Sequence, residues 1–209
     1  YDKGELNLNT KLSDLFPKKR LKDKAQIPLR EMLSHYARLR PWIPFYEETL
    51  DRKEKPKSRF YKRNSKSSYS TLVSENLYLK TNYREKIFKS IINSELREEL
   101  EYKYSDLPFY FLKFWFEDKY NKPLNILAND RIFKKLGLKR TMFNPIDKIN
   151  LNEIVPSERD DFFRHSKLQG YVHDEGAAML GGISGHAGLF SNSYDCLLYT
   201  SPSPRDEAL

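Results

Sequence analysis

The sequence predicts an α+β chain in which helices carry most of the mass and strands are short. Three observations lead there. Leu107 to Tyr120 is apolar on nearly every side, which marks a helix at the centre of a domain, because a surface helix shows a single apolar stripe. Helix patterning also appears at Ile27–Leu39, Asn82–Asn93 and Pro123–Leu136, whereas Thr141–Phe143 and Glu153–Val155 are at most short strands or edges. The 209 residues suffice for one domain with a sizeable core, and no internal repeat divides them.

Each element has a local reason. Asp2-Lys3-Gly4-Glu5-Leu6 reads as the turn after a helix, and position 1 is not Met, so the chain is expected to be a piece of a longer protein. Leu12 to Phe16 is a helical turn stopped by Pro17. The Ile27–Leu39 helix takes Pro28 in its first turn and sets Leu29, Met32, Leu33 and Tyr36 on one face. Pro41 to Tyr46 holds too much proline for regular structure and is expected to be a packed loop. Asn82 with Glu85 forms a capping-box-like start for a helix that turns Ile87, Ile91 and Ile92 to the core. Gly137 closes the Pro123–Leu136 helix as a C-terminal cap.

Charge is concentrated in one place. Residues 52–66 carry eight Lys and Arg against Glu54 alone, a balance of +7 out of the chain's +8. With Pro56, several Ser and few apolar residues, 52–68 is expected to be a basic, solvated surface loop. Phe60 and Tyr61 interleave with the cations, a pattern that can track a phosphate backbone. The rest of the chain is nearly neutral, so no nucleic-acid partner is expected. No apolar run approaches the length of a membrane span.

The candidate site lies where Tyr104-Ser105-Asp106 meets the central helix. Asp106 is placed to cap that helix and Pro108 suits its first turn, so Tyr104 falls in the segment feeding it, where a polar side chain can face a cleft. Tyr104 and Asp106 are the candidate catalytic residues; the competing reading is a cap beside a structural tyrosine. Six of the eight glycines fall between 170 and 188, without the Lys-Ser/Thr or Gly-x-Gly-x-x-Gly pattern of a phosphate loop. His173, Asp174, Glu175 and His186 match no usual zinc spacing. No cofactor or metal is therefore expected, and the glycines are assigned to close backbone packing around a cleft. Cys196 is the only cysteine. From there to Asp206 the chain resembles one reading frame of a transposase-end sequencing adapter, so 196–209 is expected to be a non-native tail.

Several stretches, in order, resemble the serine β-lactamase-related hydrolases, the class C β-lactamase and penicillin-binding-protein-like family. Ile27-Pro28-Leu29-Arg30-Glu31-Met32-Leu33-Ser34-His35 is similar to its ITIRHLLTH helix, and Tyr104-Ser105-Asp106 falls where the family carries Tyr-x-Asn. Pro123-Leu124 through Leu136-Gly137-Leu138, followed by Thr141 to Phe143, resembles its PL…PLGL helix and Thr-x-Phe. Gly185 to Asn192 with Asp195 resembles its AGGLFSTAxDL strand and helix start. Trp42 to Tyr46 and the 170–190 stretch are most similar to the branch joined to family 3 glycosidase domains in bacterial envelopes.

The resemblance, which covers 1–195, implies part of a β-lactamase/transpeptidase-like domain, mostly its helical region, and an acyl-transfer serine hydrolase in the periplasm or envelope. The substrate would be a small molecule or of cell-wall type, and a fused glycosidase domain is a possible partner. The nucleophile would be a Ser-x-x-Lys serine upstream of Tyr1, with Tyr104 as base or proton shuttle; the present stretch alone would then be inactive. The family's Lys-Thr-Gly or His-x-Gly strand would follow residue 195, so His186 is not its histidine. A non-catalytic companion domain of an envelope glycosidase is the alternative. Two departures stand out: Asp106 replaces an Asn, exchanging an amide donor for an acceptor-only carboxylate, and Ala37-Arg38-Leu39 stands where the family has Ser-Gly-Leu.

Overall fold

A computed structural model describes residues 4–200. Part of the expected opening turn and residues 201–209 of the adapter-like tail lie outside the described residues. The elements run α1 (Leu12–Leu15), α2 (Leu29–Leu33), β1 (Tyr61–Lys62), β2 (Thr71–Ser74), β3 (Leu77–Leu79), α3 (Tyr83–Asn93), α4 (Leu107–Tyr120), α5 (Leu124–Ala128), β4 (Met142–Phe143), β5 (Glu158–Asp160), β6 (Ser166–Leu168), α6 (Glu175–Ala178), β7 (Leu189–Phe190) and α7 (Ser193–Thr200). The described residues form three small antiparallel sheets, in the strand orders β1-β3-β2, β4-β7 and β5-β6. Among the described residues no helix is long and apolar enough to cross a membrane.

The centre is α4, as its composition requires. It buries Leu107, Pro108, Tyr110, Phe111, Phe114 and Trp115, and even Lys113 is buried. That ammonium is held 2.5 Å from Glu117, whose carboxylate also takes the first free N–H of α5, from Leu124, at 2.9 Å. Helix α3 lays Tyr83, Ile87, Phe88, Ile91 and Ile92 against the core. Phe88 meets Phe111 and Phe114 edge-on at 5.8 and 5.6 Å, the geometry aromatic quadrupoles favour. Lys24 is fully buried, and its ammonium is satisfied by the Ile92 and Ser94 carbonyls and by Asp23.

Several expectations are corrected. The Ile27–Leu39 helix is only Leu29–Leu33, because His35 and Arg38 adopt φ of +62° and +54°, which no right-handed helix contains. Leu29 and Met32 are buried, whereas Leu33 and Tyr36 face outward. Arg38 sits where the family resemblance places Gly, and it takes the left-handed backbone that a Gly would take freely. The Asn82 side chain makes no capping bond, although α3 starts there as expected. Residues 151–155 form a 3-10 turn and an extended exit, not a strand. The Pro123–Leu136 helix begins as α5, widens to a π turn at Asn129–Phe133 and ends at left-handed Gly137. The basic loop is partly ordered: β1 lies within it, with Tyr61 buried and its hydroxyl 2.8 Å from Thr49 Oγ1. β4–β7 pairing joins the Thr141–Phe143 strand to Leu189–Phe190. Asp195, at the start of α7, fixes that junction by accepting from Arg140 N at 2.6 Å and Thr141 Oγ1 at 2.9 Å.

Candidate active site

The site is built on the N-terminal end of α4. Ser105, not Asp106, caps that helix: its Oγ accepts from Leu107 N at 3.2 Å and donates to the Arg40 carbonyl at 2.6 Å. Asp106 makes no capping bond with its side chain. Its backbone N–H is instead tied to Pro41 at 2.9 Å, and its carboxylate turns into a cleft lined by Trp42, Ile43, Tyr46, Tyr110, Asp174, Glu175 and Gly176. The expected cap is thus corrected, and Asp106 is left free for the cleft.

Tyr104 precedes this turn and is half-exposed. His35 holds its segment from below: Ser105 N donates to His35 Nδ1 at 3.2 Å and Lys103 N to the His35 carbonyl at 3.0 Å. Accepting at Nδ1 places the ring proton of His35 on Nε2. The imidazole lies 4.7 Å from the Tyr104 ring and 6.0 Å from Phe109. The left-handed φ of His35 is what turns its carbonyl and ring to the same strand, so the abrupt end of α2 has a consequence at Tyr104. Burial, the Asp106 charge and a hydrogen bond to that carboxylate hold the Tyr104 phenol above its usual value. Burial likewise raises Asp106, although His186 and Tyr104 oppose the rise.

The glycine-rich stretch forms the far wall, and its glycines are needed for contact. A Cβ on Gly176 would lie 1.9 Å from the Tyr110 hydroxyl, and one on Gly185 would lie 2.7 Å from the Phe109 carbonyl. These approaches bring a hydrogen-bonded relay against α4. His186 Nε2 is 2.9 Å from Asp174 Oδ1, its Nδ1 is 2.9 Å from Ser184 Oγ, and its ring stacks on Tyr110 at 4.3 Å. Asp174 also caps α6 by accepting from Ala177 N at 2.6 Å. Burial opposes its ionisation, but the His186 contact and the Ala177 N–H outweigh burial, and the carboxyl sits below the ordinary Asp range. Burial and the Asp174 charge push Glu175 upward and Tyr110 well upward. Ser184 is buried, so the trio resembles a nucleophilic triad in its contacts but presents no accessible hydroxyl. Sequence reading singled out His186 and Asp174 without pairing them.

Of the residues considered in the sequence, the fold brings together Tyr104, Asp106, Asp174, Glu175 and His186. His173 points away, to Glu158 at 3.3 Å. Among the described residues no group of three or more His, Cys, Asp or Glu is arranged to hold a metal ion. The cleft thus offers the carboxylates of Asp106, Asp174 and Glu175, with the Tyr104 phenol beside it and the His186 imidazole buried behind its wall, groups that move protons and accept hydrogen bonds.

Comparison with known proteins follows the same lines. A family model described as Beta-lactamase matches residues 1–208. "Putative D-alanyl-D-alanine carboxypeptidase" of Salmonella typhimurium is 30% identical over 214 residues, covering 91% of this chain and 48% of the relative. The Escherichia coli K12 protein of the same name is 39% identical over 117 residues, 47% of this chain and 27% of the relative. The chain therefore spans about half or less of the length of these curated relatives. Among solved structures, the beta-lactamase/D-alanine carboxypeptidase of Yersinia pestis complexed with citrate has a TM-score of 0.59 at 16% identity, over 99% of this chain and 52% of that one. The D-amino acid amidase of Ochrobactrum anthropi SV3 has a TM-score of 0.57 at 16% identity, over 95% of this chain and 47% of that one. At such identity the two structures speak for the fold. The chain belongs to the beta-lactamase family and shares its α+β, penicillin-binding-protein-like fold.

Proposed function

We propose that the full-length protein is a serine acyl-transfer hydrolase of the carboxypeptidase or amidase type, acting on small or cell-wall-type peptide substrates in the bacterial envelope. The observation that carries this reading is Tyr104: half-exposed, clasped by His35, and facing Asp106 beside a narrow cleft. Tyr36 and Tyr102, also exposed, continue an aromatic face beside it, with their rings 6.2 Å apart.

The 209 residues contain no Ser-x-x-Lys, so the nucleophile is assigned to a helix preceding them in the full-length protein. Asp106 and Asp174, the charges that act on Tyr104 from this chain, both favour the neutral phenol. Tyr104 can act as a base near neutrality only if a cation offsets them, and the Lys of Ser-x-x-Lys would supply it. In acylation, the serine hydroxyl attacks the substrate carbonyl and its proton passes to Tyr104; as the tetrahedral intermediate collapses, Tyr104 returns that proton to the leaving nitrogen. Water then takes the place of the serine and releases the acid. Asp106, not used as a cap, is free to pair with the Lys or to accept an N–H of the substrate.

The test is acylation of the full-length protein by a fluorescent penicillin, with the modified residue located by peptide mass mapping. A serine adduct within Ser-x-x-Lys is expected. Absence of that serine, or of any adduct, would instead favour a non-catalytic companion role.

A further inference from the structure

We propose that the basic segment 52–66 and the neighbouring His165 form a binding surface, separate from the cleft, for a linear phosphate-bearing polymer without aromatic bases, such as a polyphosphate or polyol-phosphate chain. The segment holds eight cations and one carboxylate, and among the described residues none of the eight forms an ion pair. Other described cations, such as Lys135, Lys139 and Lys148, are also outside ion pairs; what sets this segment apart is its density, eight cations within fifteen residues. Unneutralised cations at such density repel one another, and a polyanion relieves that repulsion.

The segment is also held in shape, which distinguishes it from a solvated loop. β1 pairs with β3 and drives Tyr61 into the core, fixing the backbone of Lys62 beside Arg63. Lys57 Nζ donates to the Glu48 carbonyl at 3.0 Å and Lys62 Nζ to Ser58 at 2.8 Å. His165, at a left-handed φ of +51°, joins its Nε2 to the Glu54 carbonyl at 2.8 Å. Between them lies a cavity of about 450 Å³ bordered by Lys55, Ser58, Lys62, Arg63 and His165, with Glu75 also on its wall. Cations and a hydroxyl around a concave surface suit phosphate oxygens.

The aromatics decide against a nucleic acid. Base stacking needs a free ring face. Phe60 lies beneath Arg59 and Lys86 at 4.8 and 5.2 Å, Tyr69 lies beneath Lys62 at 5.3 Å, and Tyr61 is buried. The charges are presented and the rings are not.

The experiment uses the full-length protein and fluorescently labelled inorganic polyphosphate, with affinity measured across a salt series. The expected result is binding whose logarithm falls linearly with the logarithm of salt. In Lys55→Gln/Lys62→Gln/Arg63→Gln the affinity at fixed salt drops about tenfold or more and the salt slope becomes shallower by about 2, at roughly 0.7 for each phosphate that the variant no longer neutralises. Lys135→Gln/Lys139→Gln/Lys148→Gln, of the same net charge, stays within about twofold of the parent. Arg52→Gln/Lys53→Gln, confined to an exposed turn, weakens binding in the same direction should the first variant melt early. Equal drops in the pocket and control variants, or no binding at low salt, would overturn the proposal. So would tighter binding to single-stranded DNA of equal phosphate number, or to anionic lipid vesicles.

Discussion

Ser105→Ala removes a single oxygen, and the structure says it removes the true cap of the central helix. Ser105 is 2% exposed. It accepts from Leu107 N at 3.2 Å and donates to the Arg40 carbonyl at 2.6 Å, joining α4 to the loop before Pro41. Alanine leaves both groups without a partner. Loss of an N-cap costs about 1 kcal/mol, and a buried polar group left unsatisfied costs about 1–3 kcal/mol. Because the bond to Leu107 is long, we expect a total near 2–3 kcal/mol. Asp106→Ala is the comparison: its carboxylate caps nothing, and burial already disfavours its charge, so the change should lie within about 0.5 kcal/mol of the parent. Urea unfolding of the full-length protein followed by tryptophan fluorescence measures both. A Ser105→Ala midpoint equal to that of the parent, or a larger loss in Asp106→Ala, would refute the assignment of the cap.

Three further outcomes rest on particular residues. Arg38→Gly relieves a left-handed backbone at φ +54°, and should stabilise by about 1 kcal/mol; a lower urea midpoint would contradict it. Asp174 titrates below its ordinary value because His186 and the Ala177 N–H outweigh the burial that opposes its charge. Its stabilising contribution is therefore full above about pH 4 and is lost as pH falls through the lowered folded value. Asp174→Asn should show a shallower acid-side decline of the urea midpoint between about pH 5 and pH 2, and identical slopes would exclude the linkage. Asp106→Asn restores an amide donor in the cleft without touching the cap, so it should leave stability nearly unchanged while altering kcat/KM on amide substrates; unchanged kinetics would make Asp106 a bystander.

What the sequence disclosed depended on how local the cause was. α4 was legible because composition alone makes the stretch from Leu107 to about Tyr120 a buried helix, and Gly137 was legible because only its own backbone is involved. The helix over 27–39 was overextended because His35 and Arg38 take left-handed backbone without being Gly, and that choice is set by partners at 97, 103 and 105. Strands of two to four residues carry too few alternations to register. Asp106 and Ser105 are both good caps in isolation. The Arg40 carbonyl, 65 residues away, selects Ser105. Likewise, the pairing of Asp174 with His186 rests on stacking against Tyr110 and on glycines that admit the wall to α4, features that spacing does not encode. Tyr104 itself was reached through motif order, and its support by His35 only through the fold.

Turnover of Tyr104→Phe in the full-length protein bears most directly on the central claim. The substitution deletes one hydroxyl from a half-exposed ring and keeps its packing against His35. If Tyr104 carries the proton of the nucleophilic serine, kcat on a D-alanyl-D-alanine peptide or an amide should fall roughly 10²–10⁴-fold while the unfolding free energy from urea titration stays within about 0.5 kcal/mol of the parent. Turnover equal to that of the parent, with the fold intact, would show the Tyr104-Ser105-Asp106 turn to be structural.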